Sequence, residues 1–226
     1  MTKLLEAIEI ETGKNPTASI IWMHGLGADG NDFVPIVGEL GLDGSPAVRF
    51  IFPHAPMRPV TINNGFVMRA WYDVSFGDLE GKSRQADERG VRESQAQINA
   101  LIEREEKRGV PAANVLLAGF SQGGAIALHT GLRHPRKLAG VMALSTYLPL
   151  AESLPSEGSA ANKTTPVFMA HGLFDNVVPL MMGAGSMTFL TGLGYSIEWR
   201  QYPMQHSVCP EEIKDIGTWL RRVLKT

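Results

Sequence analysis

Residues 115–130 read VLLAGFSQGGAIALHT. A short apolar run leads into Gly119-Phe120-Ser121-Gln122-Gly123, and small residues follow. This is the G-x-S-x-G pattern of a serine placed on a sharp turn from strand to helix. The turn has a mechanical requirement. Residues two before and two after the serine must be small, because strand and helix crowd there. In return the hydroxyl is exposed at the strand end, and the first N–H groups of the helix face whatever the serine attacks. Ser121 is therefore the candidate nucleophile. The competing reading is a tight strand–helix turn with an inert serine.

Working outward, short apolar runs alternate with amphipathic stretches, the signature of an α/β fold. Strands are expected at Ser19–His24, Val48–Phe52, Val115–Ala118, Val141–Leu144, Val167–Ala170 and Tyr195–Tyr202. Between Val91 and Lys107 the apolar residues fall on one helical face, which Gly109 and Pro111 end. A last helix is expected from Pro210 to Leu224, with Ile213, Ile216, Leu220, Val223 and Leu224 as its buried stripe. Segment 53–90 carries three prolines and an Asn63-Asn64-Gly65 turn signal, followed by a polar stretch from Gly77 to Gly90. It reads as an excursion over one end of the sheet containing a small hairpin.

The 226 residues suit one α/β domain spanning 1–226. An apolar fraction of 44% and a charged fraction of 19% are ordinary for a soluble globular chain. A formal net charge of −2 leaves no electrostatic footprint for nucleic acid. No apolar run approaches a membrane span, and MTKLLEAIEIETGK at the start does not read as a signal peptide. A single cysteine, Cys209, excludes an intrachain disulfide and a thiolate zinc site. Its expected role is a small residue capping the last helix. The expectations are a cytoplasmic protein with no nucleic-acid partner and no stable membrane insertion, and compatible with a homodimer.

A serine hydroxyl needs a base, and the base is usually a histidine oriented by a carboxylate. In folds with this elbow the chain order is Ser, then Asp or Glu, then His. Four histidines follow Ser121. His129 and His134 lie on or just past the helix that starts at the elbow, and His171 ends the VFMA strand. His206 lies in a loop between the last strand and the last helix, where a mobile base belongs. For the carboxylate, Asp175 follows the VFMA strand in HGLFD (171–175), at a strand's carboxyl end. Glu152 and Glu157 lie in a polar connection, and Asp215 follows His206 in the chain. Two backbone N–H groups are needed for an oxyanion, and Gln122 and Leu26, in the His24-Gly25-Leu26-Gly27 loop, are the candidates. That glycine-rich loop could instead cradle a phosphate, although no Gly-Lys-Ser/Thr follows it.

The chain resembles the phospholipase/carboxylesterase family of α/β-hydrolases. The matching segments are IIWMHGLGADGNDF (20–33), FIFPHAPMRPVTINNGFVMRAWYD (50–73), VLLAGFSQGGAIALHT (115–130), ALSTYLP (143–149), HGLFDNVVP (171–179) and QYPMQHSVCPEEIKDIGTWL (201–220). The resemblance implies a mostly parallel sheet flanked by helices, without a large cap domain, and a triad on Ser121, Asp175 and His206. It implies oxyanion donors at Leu26 and Gln122, and no metal or organic cofactor. It also implies a hydrophobic acyl site near residues 66–73, with Trp71 as a wall and Met68 as a substrate-binding neighbour. Ordinary core packing is the competing reading of both. The implied reaction is hydrolysis of short- to medium-chain acyl esters through an acyl-enzyme. An acyl-protein thioesterase or a lysophospholipase would use the same parts. A non-catalytic binding protein on the same fold would be favoured by a missing triad member, and none is missing. Two departures stand out. Gln205 replaces the glycine that usually precedes the base, which would alter the loop, and Arg69 stands where proline is common.

Overall fold

The computed structural model describes residues 4–42, 46–75 and 87–224. A seven-stranded sheet runs, from one edge to the other, through residues 7–11, 48–53, 18–23, 115–120, 140–144, 167–172 and 197–202. Its strands are β1 (Ala7–Glu11), β2 (Ala18–Met23), β3 (Val48–Pro53), β6 (Val115–Phe120), β7 (Gly140–Leu144), β8 (Val167–Gly172) and β9 (Ile197–Tyr202). Every neighbouring pair is parallel except β1 against β3. Among the described residues the longer helices are α1 (Glu88–Lys107), α2 (Gln122–Arg133), α3 (Leu180–Gly192) and α4 (Pro210–Val223). The expected strands and both expected helices are present, with ends displaced by a few residues.

The central strands are buried and mostly apolar because both faces of the sheet are covered. Alternate residues feed two cores. Ile21, Met23, Leu117, Val141 and Met169 join α1 and α2 residues on one face. Ile20, Trp22, Leu116, Met142 and Phe168 join Ile216, Trp219 and Leu220 of α4 on the other. In α1 the expected stripe of Val91, Ile98, Leu101 and Ile102 is fully buried. Ile213 and Val223 of α4 are only partly buried.

Two of the longer elements carry no expectation from the sequence. β1 is a half-exposed antiparallel edge strand, AIEIE, whose alternation is short and charged. Its glutamates pair with basic side chains from other elements: Glu11 with Arg49 at 2.9 Å, and Glu9 with Arg104 and Arg108 at 2.8 Å each. α3, LMMGAGSMTFLTG, is apolar nearly all round and holds three glycines, so no stripe marks it as a helix.

The excursion contains the expected hairpin. β4 (Met57–Val60) pairs antiparallel with β5 (Phe66–Arg69), and Asn64 adopts φ 55° at the turn. Phe66 and Val67 are exposed on it, as is Met57. The polar stretch from Gly77 lies outside the described residues as far as residue 86, and Gly90 belongs to α1.

Candidate active site

Ser121 stands between β6 and α2 with φ 53° and ψ −123°, a left-handed backbone that a β-substituted residue adopts only under constraint. The constraint is local. The Ser121 N–H donates to the Leu144 carbonyl of β7 at 2.8 Å. A Cβ on Gly119 would lie 2.3 Å from the Gly123 carbonyl, and a Cβ on Gly123 would lie 2.3 Å from the Met23 carbonyl. Both positions are therefore closed to any side chain, and the elbow is pinned between β2 and α2.

The loop carrying His206 and the loop carrying Asp175 are zipped together by continuing the β8–β9 ladder past its last formal pair. Leu173 N–H donates to Tyr202 O at 2.9 Å, and Phe174 N–H to Met204 O at 3.0 Å. That brings Asp175 and His206, 31 positions apart, into contact at 2.7 Å through Asp175 Oδ2 and His206 Nδ1. The other oxygen, Oδ1, accepts the N–H groups of Val177 and Val178, each at 2.9 Å. With Oδ1 so occupied and Oδ2 accepting, His206 carries its proton on Nδ1 and leaves Nε2 with a lone pair. The His206 ring packs on Phe120, the residue before the elbow serine, with centroids 4.7 Å apart. Across the site, the position of a Cβ on Gly25 would be 3.5 Å from Ser121 Cβ, so the 24–27 loop lies against the serine. Among the described residues, neither the Leu26 nor the Gln122 amide N–H donates to a partner.

The other titratable candidates sit elsewhere. His129 and His134 are buried packing residues, bonded to Gln95 Oε1 at 3.2 Å and Asn99 Oδ1 at 3.1 Å. Burial pushes them down to about 3 and about 4, so both stay neutral near pH 7. His171 is buried behind Asp175, its Nε2 2.8 Å from the Val178 carbonyl and 3.5 Å from Asp175 Oδ2. Glu157 is held well below its usual range, to about 2, chiefly by Arg92 and, with it, Arg133. Asp215 accepts the Tyr202 hydroxyl at 2.8 Å. Among the described residues no group of three or more His, Cys, Asp or Glu side chains could hold a metal ion.

Against that geometry, the family described as phospholipase/carboxylesterase matches residues 5–224. The chain belongs to the phospholipase/carboxylesterase family. It is 38% identical to acyl-protein thioesterase 1 of Cryptococcus neoformans over the full length of both chains. The Neurospora crassa acyl-protein thioesterase 1 is 42% identical over 90% of this chain and 86% of its own. Among solved structures, Arabidopsis thaliana SOBER1 superposes with a TM-score of 0.83 at 34% identity, covering 92% of this chain and 99% of that one. Zea mays acyl-protein thioesterase 2 superposes at 0.81 with 28% identity, covering 97% and 100%. The fold is the α/β-hydrolase fold, and the family's members hydrolyse ester and thioester bonds.

In this family member the acyl-site expectation for Trp71 needs correction. Trp71 is fully buried and donates its indole N–H to the His24 carbonyl at 2.9 Å. It therefore backs the 24–27 loop from the core side and cannot wall an open pocket. Met68 is half-buried and lines a cleft of about 510 Å³ with Gly27, Met57, Val67 and Arg69. A second cleft of about 390 Å³ is lined by Phe120, His206 and Val208. Arg69 is bound into the excursion, donating from Nη1 to Ala55 O at 2.9 Å. The φ of Gln205 is not positive, so no glycine is required before His206, and its side chain is exposed. Cys209 occupies the N-cap position of α4 but makes no capping hydrogen bond.

One functional feature was hidden in the motif itself. The Gln122 side chain reaches across to the excursion, accepting Trp71 N–H at 2.8 Å and donating from Nε2 to Tyr72 O at 2.7 Å. It pairs like a strand residue and ties the excursion to the elbow. A sequence pattern that allows any residue after the serine gives no signal for it.

Behind the base loop, Glu212 in the first turn of α4 is fully buried, and burial pushes its carboxyl up to about 8 against the opposing backbone of Cys209. The folded protein thus keeps a proton that the unfolded chain releases at its ordinary value of 4.5. Stability from this group is complete below that value and falls as pH rises toward 8, by up to about 1.4 kcal/mol per pH unit. Glu212→Gln should raise Tm at pH 8 and leave it little changed at pH 4.5, as read by thermal melts at both. Equal shifts at the two pH values would contradict a protonated native Glu212.

Proposed function

We propose that this chain is a serine carboxylesterase acting on short- to medium-chain acyl esters through Ser121, His206 and Asp175. The observation that carries the reading is the Asp175–His206 hydrogen bond of 2.7 Å, beside a serine held at φ 53° on a strand–helix elbow. His206 Nε2 takes the Ser121 hydroxyl proton as Oγ attacks the ester carbonyl. The carbonyl oxygen becomes an oxyanion and accepts the Leu26 and Gln122 N–H groups. Asp175 stabilises the imidazolium, and His206 then gives its proton to the departing alkoxide. Water repeats the sequence on the acyl-enzyme, releasing the acid and restoring Ser121. The cleft beside Met68 reaches Gly27 of the 24–27 loop, the cleft beside His206 includes the proposed base, and both are of a size for small acyl and alcohol groups.

A fluorophosphonate probe should label Ser121 stoichiometrically, and peptide mapping should find the adduct there. Hydrolysis of p-nitrophenyl esters without any labelling of Ser121 would sink the assignment.

A second reading, an acyl-protein thioesterase, is favoured by the names of relatives that are 36–42% identical. It keeps every catalytic role and changes the leaving group from alkoxide to thiolate. The ratio of kcat/KM on matched oxoester and thioester substrates separates the two.

A further inference from the structure

The 24–27 loop is held by a side chain that the acyl-transfer scheme does not use. His24 is buried at the end of β2. The Ala55 N–H donates to its Nε2 at 3.1 Å, so Nε2 is unprotonated and Nδ1 carries the hydrogen. Nδ1 lies 2.7 Å from the Gly25 carbonyl and donates to it. A trans peptide points its C=O and N–H in opposite directions. The Gly25 carbonyl belongs to the same peptide unit as the Leu26 N–H, and among the described residues no peptide bond is cis. Anchoring that carbonyl on His24 therefore fixes the direction of the Leu26 N–H. Both anchors beneath His24 come from the excursion: the Ala55 N–H, and the Trp71 indole that binds the His24 carbonyl at 2.9 Å. The Gly27 N–H, two residues on, donates to Arg69 O at 2.9 Å.

The geometry points to His24 as a positioning residue of the acyl-transfer site: its Nδ1–H holds the Gly25 carbonyl so that the Leu26 N–H faces the oxyanion. This rests on the assignment of Ser121 as nucleophile and of Leu26 as a donor. Burial also pushes the imidazole down to about 4, so the neutral form that this arrangement needs persists through the neutral range.

Two amide variants separate the contacts. In His24→Asn the side-chain NH₂ falls near the place of Nδ1 and can still donate to Gly25 O, while the Ala55 contact is lost. In His24→Gln the longer side chain can accept from Ala55, while the Gly25 anchor is lost. Kinetics on p-nitrophenyl butyrate, normalised to sites titrated to completion with a fluorophosphonate, should show kcat of His24→Gln reduced roughly 10²-fold at little-changed KM, the scale of a lost oxyanion donor. The inhibition constant of a trifluoromethyl ketone, whose hemiketal oxygen occupies the same hole, should rise in proportion. His24→Asn should recover most of both. Equal kcat in the two variants, whether high or low, would overturn the role of the Nδ1–H, because packing alone does not distinguish them in this direction. Ser121→Ala measured alongside keeps the two readings apart: activity surviving there removes the parent assignment, whereas an inactive Ser121→Ala with an unimpaired His24→Gln removes only His24.

Discussion

Ser121→Ala should lose about 10⁵–10⁶ in kcat on an acyl ester while leaving the fold intact. The size of the loss follows from the way the elbow concentrates the chemistry. Without Oγ there is no acyl-enzyme, and His206 has no hydroxyl to deprotonate. What remains is binding and oxyanion stabilisation, which sustain only a residual rate over water. Stability should change by less than about 1 kcal/mol, since alanine has the same Cβ and the left-handed backbone is imposed by neighbours. The Leu144 carbonyl and the crowding at Gly119 and Gly123 hold it there, and the Ser121 hydroxyl takes no part. Purified variant assayed on p-nitrophenyl butyrate, with a melt in parallel, checks both halves. A variant that melts like the parent yet retains a tenth of its activity would remove Ser121 from the reaction.

Asp175→Asn should cost about 10⁴ in kcat, through the tautomer of His206 rather than through lost packing. Asp175 Oδ1 accepts two backbone N–H groups, so the amide oxygen of Asn would take that position. The amide nitrogen would then face His206 Nδ1 at the place of Oδ2, 2.7 Å away. Two donors cannot meet, so His206 would shed its Nδ1 hydrogen and carry it on Nε2 instead. That nitrogen could no longer take the serine proton. Fold and substrate affinity should be nearly preserved, so the loss should appear in kcat with KM within a few-fold. A loss confined to KM would contradict this account, and so would one accompanied by a collapsed melt.

The parallel α/β architecture could be read from the chain because its strands are buried on both faces and so appear as unbroken apolar runs such as SIIWM and VFMA. The helices with one buried stripe, α1 and α4, were legible for the corresponding reason. β1 and α3 were not. The first earns its place by pairing with β3 and by ion pairs to Arg49, Arg104 and Arg108, all distant in sequence. The second has apolar residues all round, so its register against the sheet is decided by close approach, as at Gly183, where a Cβ would lie 2.4 Å from His171 Nδ1.

The sequence by itself determined which residues are the candidates for the chemistry. A serine between glycines, an aspartate after a strand and a histidine before the last helix follow in the one order this fold uses, because strand ends on a parallel sheet share a single rim. Only the tertiary structure decided what each neighbour does. It moved Trp71 from the expected pocket wall into the core, showed that Gln205 needs no glycine's freedom, and turned Gln122 into a clamp on the excursion. It also aimed His24 at the Gly25 carbonyl. Those roles depend on the direction of single hydrogen bonds between segments 47 to 51 residues apart, or on which way one peptide plane is turned, and neither quantity is carried by residue type or spacing.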